Sequence, residues 1–142
     1  MRREWLRPGW AVEYGSTITA EGLEMSLTVR SQLREDTAVI SVAGELDMAT
    51  APELQTHVNE LTEQGCQRLI FDLGDTSFCD STGLSVFVRA KNTCDAAGGD
   101  LRLAAPQRGV RRILEVSGLI DVLPTYDTVE DAISASAVTA SE

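Results

Sequence analysis

No apolar run in the 142 residues approaches the ~18 to 20 that a membrane-spanning helix needs, so no membrane is expected among the partners. Basic residues are few: 12 Lys and Arg stand against 22 Asp and Glu, for a formal charge of -10. Such a surface repels anionic lipid and nucleic acid phosphates over a Debye length of about 8 Å and beyond, which excludes nucleic acid as a favoured partner. Histidine occurs once, as His57, and cysteine three times, as Cys66, Cys79 and Cys94, without metal-ligand spacing. An odd and scattered cysteine set argues against a disulfide framework and for a reducing cytoplasm. Arg2 and Arg3 open the chain as a signal peptide might, but Pro8, Glu13 and Gly15 interrupt it before an apolar stretch forms, so no export is expected. A glycine-rich phosphate loop is also missing, because Gly98-Gly99 ends a helical pattern instead of opening one and no Gly-Lys-Ser/Thr occurs.

What is present is the patterning of one globular domain, with 43% hydrophobic and 24% charged residues. Residues 1–25 hold both tryptophans, Trp5 and Trp10, among Pro8, Gly9, Gly15 and Gly22 without a sustained period. This segment is expected to be a flexible extension, or else to dock its aromatic side chains on the domain, a second copy of the chain or another partner. Alternation over residues 27–32, a charged turn at Arg34-Glu35-Asp36 and the run 37–43 predict two antiparallel strands. Thr50-Ala51-Pro52-Glu53 has capping-box spacing with an early proline, which predicts a helix whose inward stripe is Leu54, Val58 and Leu61 and whose stop is Gly65.

Residues 68–73 are a short apolar run, as in a strand buried on both faces of a parallel sheet. A loop through Gly74, Asp75 and Thr76 leads to Asp80, the expected cap of a second helix that packs Leu84, Phe87 and Val88 and ends at Gly98-Gly99. Residues 101–104 predict another strand. A third helix over 108–116 packs Val110, Ile113 and Leu114 up to Gly118, and Asp127-Thr128-Val129-Glu130 starts a last short one. The domain is expected over residues 26–135, with 136–142 a flexible tail. Strands alternating with helices predict an α/β fold: a mostly parallel sheet of four to five strands, an antiparallel N-terminal edge strand and about four helices.

Two segments stand out for chemistry, Gly44-Glu45-Leu46-Asp47 with Thr50-Ala51-Pro52, and Asp80-Ser81-Thr82-Gly83-Leu84. Both fall where a strand ends, the place at which open α/β sheets put their sites. Ser81 and Thr82 lie in a helical first turn, where backbone N–H groups have no partner inside the helix, and a hydroxyl there is accessible. An enzyme using Ser81 as nucleophile would need a base, yet His57 sits among helical residues, no Gly-x-Ser-x-Gly elbow occurs, and no cluster forms a metal site. No catalytic activity and no cofactor are expected. Cys79, beside Asp80, has two readings: a small buried hydrophobe, or a redox-sensing thiol that pairs with Cys66 or Cys94.

Together these two segments, at their interval and in strand-helix order, resemble the signature segments of the STAS domains found in bacterial anti-sigma factor antagonists. The resemblance spans about residues 27–134. It implies that Ser81, the first hydroxyl residue after the aspartate, is phosphorylated by the anti-sigma factor, a serine kinase using ATP. It implies further that the unmodified form binds this kinase and frees the sigma factor, and that a serine phosphatase resets the modified form. Asp47, Thr50, Asp80, Ser81, Thr82 and Gly83 are then the expected partner-binding set, Thr82 is the rival phosphoacceptor, and a second copy of the chain is a further candidate partner. The alternative uses are a redox-responsive interaction module built on Cys79, Cys66 and Cys94, or a STAS component of a larger signalling complex. The family commonly has a larger aliphatic residue at the position of Cys79.

Overall fold

The computed structural model of the protein describes residues 12–19, 26–34 and 37–135. Among these residues are seven strands, β1 (Val12–Thr19), β2 (Ser26–Arg34), β3 (Thr37–Leu46), β4 (Arg68–Asp72), β5 (Thr76–Cys79), β6 (Asp100–Ala104) and β7 (Thr125–Tyr126). The sheet order is β1-β2-β3-β4-β6-β7, and β5 pairs with β3 beyond the end of β4. β1 and β2 run antiparallel to their neighbours, while the β3–β4, β3–β5, β4–β6 and β6–β7 pairs are parallel. Among the described residues are also four α-helices: α1 (Ala51–Glu63), α2 (Ser81–Ala96), α3 (Arg108–Ser117) and α4 (Val129–Ser134). The predicted α/β class and antiparallel edge are therefore observed.

The sheet exceeds the four to five strands expected from sequence, and β1, β5 and β7 are the additions. β1 lies inside residues 1–25, which the patterning assigned to a flexible extension. Val12, Tyr14, Thr17, Ile18 and Thr19 have the β-branched and aromatic character that suits a strand, and pairing with β2 from Val12↔Leu33 to Thr19↔Ser26 decides the matter. Trp5, Trp10 and the tail 136–142 lie outside the described residues.

Alternation in the strands divides the apolar side chains between two faces. Leu27, Val29, Ala38, Ile40, Val42, Leu69, Phe71, Leu101 and Leu103 form the main core with Leu54, Val58 and Leu61 of α1, Leu84, Phe87 and Ala90 of α2, and Val110 and Leu114 of α3. On the other face Val39, Ile70 and Ala104 meet Val129 and Ala132 of α4 in a smaller cluster. Ile70 and Phe71 are both buried, as the two-faced reading of this strand requires. Val88, expected on the inward stripe of α2, is only half-buried, and Val86 and Cys94 take that role with Leu84 and Phe87. No helix among the described residues is long and apolar enough to cross a membrane.

Candidate functional site

Both motifs meet at the C-terminal end of β3. The first half of β3 pairs with β4, and after a register shift at Gly44/Glu45 its last residues pair with β5, ending on Leu46↔Cys79. Gly44 carries the irregularity at φ 117, in the region that favours glycine, while its N–H donates to the Asp75 carbonyl at 3.0 Å. The Asp80 N–H donates to the Leu46 carbonyl at 3.2 Å. Through these bonds the Asp47 turn and the start of α2 are held side by side.

The Asp47 turn is closed from within. The Asp47 carboxylate accepts from the Ala49 and Thr50 N–H groups at 2.9 and 3.2 Å. The Thr50 hydroxyl donates to the Glu45 carbonyl at 2.9 Å and accepts from the Asp47 N–H at 3.0 Å. Thr50 is fully buried and makes no side-chain capping bond to α1, so the capping box predicted there does not form. Its hydroxyl is spent on the turn backbone, and its side chain is buried.

At α2 the expected cap is observed. The Asp80 carboxylate accepts from the Thr82 and Gly83 N–H groups at 2.9 and 3.1 Å, and its carbonyl accepts from the Leu84 N–H at 3.0 Å. Ser81 occupies the first helical position, exposed, and its hydroxyl makes no hydrogen bond among the described residues. Thr82 is half-buried. Ser85, one turn on and exposed, spends its hydroxyl on the Ser81 carbonyl at 3.1 Å.

Gly83 is buried. A Cβ on it would lie 2.7 Å from Leu46 Cγ and 2.8 Å from Cys79 Sγ. The glycine lets α2 approach β3 and β5 closely, which is a packing role.

The three cysteines form no disulfide and are buried. Burial, and then the Asp80 carboxylate beside it, pushes the Cys79 thiol up to about 12. Burial, with Asp100 and Asp95 nearby, raises Cys94 to about 12 as well. Reactive thiols are accessible and ionise readily; burial and the raised value of Cys79 favour the small buried hydrophobe of its two readings. His57 is half-buried on α1, with Nε2 2.6 Å from the buried Ser31 hydroxyl, and desolvation lowers its pKa below 6.5.

Sequence reasoning missed exposed apolar side chains next to the two motifs and a groove that Ser81 lines. Met48 and Phe78 are large exposed apolar side chains, 72% and 46% accessible, beside Asp47 and next to Cys79 in β5. A groove of about 430 Å³ between α1 and α2 is lined by Ala51, Pro52 and Gln55 from one helix and by Ser81, Ser85 and Arg89, among others, from the second. An aromatic residue in the short Thr76-Ser77-Phe78-Cys79 run was a visible signal; the groove, made by two distant segments, had none.

The STAS domain family model matches residues 28–132. The chain belongs to the STAS domain family. It is 34% identical over 99 residues to the anti-sigma-B factor antagonist of Bacillus subtilis, covering 70% of this chain and 90% of that protein. Over 111 residues it is 25% identical to the anti-sigma F factor antagonist of Paenibacillus polymyxa, covering 78% of this chain and 95% of the relative. The crystal structure of an anti-sigma factor antagonist from Mycobacterium paratuberculosis superposes with a TM-score of 0.70 at 28% identity, over 76% of this chain and 92% of that one. The anti-sigma factor antagonist SpoIIAA in its unphosphorylated form gives 0.66 at 26% identity, over 74% and 92%. The fold of this STAS domain is thus shared with proteins named for antagonism of anti-sigma factors.

Proposed function

We propose that this STAS domain is an anti-sigma factor antagonist whose unmodified form binds an anti-sigma factor with serine kinase activity and frees the sigma factor. Phosphorylation of Ser81 by that kinase ends the binding, and a serine phosphatase restores it, all in the cytoplasm. The observation that carries this reading is the exposed Ser81 hydroxyl, without an internal hydrogen bond, on the first residue of α2. The names of the relatives supply the partner class, and SpoIIAA is a relative described by its phosphorylation state.

The sign of the switch follows from what already occupies the helix start. Asp80 takes the Thr82 and Gly83 N–H groups. A phosphoryl group on Ser81 therefore finds those donors in use and a carboxylate as its sequence neighbour, so it stays in solvent with a charge of about -1.5 to -2. In a complex that anion must lose water against Met48 and Phe78, and it faces Asp80 and Asp47 from its own chain. A carboxylate about 6 Å away at an effective dielectric near 20 repels each unit of added charge by about 3 kcal/mol, on the order of a hundredfold in affinity. The fold itself is left intact, since nothing around Ser81 closes over it.

The test is to incubate the purified protein with ATP and each anti-sigma factor of the source organism and to map the product by mass spectrometry. One phosphate on Ser81 is expected with one of them, Ser81→Ala abolishes it while still binding, and Ser81→Asp weakens binding. Continued labelling of Ser81→Ala at Thr82 moves the acceptor, and no labelling or binding with any of them refutes the proposal.

A further inference from the structure

The groove beside Ser81 has a part that the phosphorylation switch does not use. Ser81, Ser85 and Arg89 are spaced four residues apart on α2, so they stand one above another along one face of the helix and line the same groove. Arg89 is the only charged side chain in that lining. Three other cations of the chain have carboxylate partners: Lys91 has Asp95 at 2.7 Å, Arg102 has Asp100 at 3.0 Å and Arg111 has Asp127 at 3.1 Å. Arg89 is exposed and has no hydrogen bond or ion pair among the described residues.

On a surface of net charge -10, an unpaired guanidinium set among small, neutral and polar side chains selects for an anionic group. We propose that Arg89 anchors an acidic side chain of the anti-sigma factor, which lies in the groove between α1 and α2. The inference rests on the partner reading above and adds the chemistry of the contact. A guanidinium suits it, because its planar fork engages a carboxylate with two parallel hydrogen bonds. Docking over the groove removes water from the pair and strengthens it beyond an exposed surface pair. The arrangement also fits the switch. Eight residues at 1.5 Å rise separate Ser81 from Arg89 by about 12 Å, so the two groups address one partner surface from opposite ends of the groove. A partner acidic enough to be held by Arg89 is the kind of partner that a phosphoryl group on Ser81 repels.

The experiment is calorimetric titration of the full, unphosphorylated chain with the anti-sigma factor that labels Ser81, at 50 and 300 mM NaCl. The variants are Arg89→Gln, Arg89→Glu and, outside the groove on the same helix, Lys91→Gln. Loss of about tenfold in affinity is expected for Arg89→Gln at low salt, more for Arg89→Glu, and a flattened salt dependence for both, while Lys91→Gln follows the wild type. Thermal melts confirm that each variant is folded. Binding of both Arg89 variants within about twofold of the wild type, with the same salt dependence, overturns the anchor and leaves the antagonist reading standing. Failure of the wild type to bind overturns that reading, and the anchor with it.

Discussion

Gly83→Ala adds a single carbon to a helix, a substitution that by propensity alone would be favourable by about 1 kcal/mol. Here the added Cβ falls 2.7 Å from Leu46 Cγ, 2.9 Å from Leu46 Cδ2 and 2.8 Å from Cys79 Sγ, whereas carbon contacts settle near about 3.5 to 4.0 Å. Leu46 and Cys79 are fully buried at the end of two paired strands, so neither has open space to retreat into. Overpacking costs about 1 to 3 kcal/mol, three simultaneous contacts under 3.0 Å put this site in the range of about 2 to 3, and after the propensity gain a net loss of about 1 to 2 kcal/mol remains. For a chain of this size that corresponds to a fall in Tm of about 3 to 8 °C. Urea and thermal unfolding of the wild type, Gly83→Ala, Cys79→Ala and the double variant make the measurement. Cys79→Ala removes one of the obstructing atoms, so the cycle should return a favourable coupling of about 0.5 kcal/mol or more. A Gly83→Ala protein as stable as the wild type, or additive losses in the double variant, refutes the packing argument.

Three further outcomes are expected. Asp80→Ala leaves the Thr82 and Gly83 N–H groups without an acceptor and lowers stability by about 1 kcal/mol in urea unfolding, an effect that Asp80→Ser largely reverses. Arg102→Met removes a buried guanidinium, strips the partly buried Asp100 of its partner and the Ala132 and Ala135 carbonyls of their donor, so a loss of about 3 kcal/mol and early exchange of the α4 amides are expected by hydrogen–deuterium exchange. Stability also depends on pH at both ends. Because the Cys79 and Cys94 thiols are raised to about 12 in the fold, their share is intact below the unfolded value near pH 9 and is lost as pH rises toward 12; because His57 is lowered, its share is present above pH 6.5 and is lost as pH falls through its folded value. Cys79→Ala and His57→Gln, followed by urea unfolding across pH, check the alkaline and acid limbs separately.

Long periodic segments and their terminal punctuation were legible in the sequence. Asp80 caps α2 as its place before a helical run indicated, and Gly65 and Gly118 close α1 and α3 in the left-handed region at φ 99 and 82. Capping boxes were less reliable: Thr50 turned inward to Glu45, and the cap of α4 is Thr128, which accepts from Asp131 N–H, one residue later than the spacing from Asp127 suggested. Local spacing fixes which groups are near one another along the chain and says nothing of what lies above them. That is why the burial of Thr50 and Gly83 was not legible in their motifs. β5 escaped notice because four residues with two exposed side chains carry little period, and its pairing depends on the distant end of β3. The α1–α2 groove with Arg89 is tertiary in the same sense, since residues 51–55 and 81–89 meet only after the sheet has formed.

The short ladder from Leu46 to Cys79, with the Asp80 amide clasping the Leu46 carbonyl, welds two motifs more than thirty residues apart into one plate. A visitor that seats on either motif finds the other already in position, so little freedom has to be surrendered at encounter and recognition resembles a stamp meeting its impression. Any substitution that loosens this weld should slow docking and blunt selectivity together, even where no touching side chain has changed.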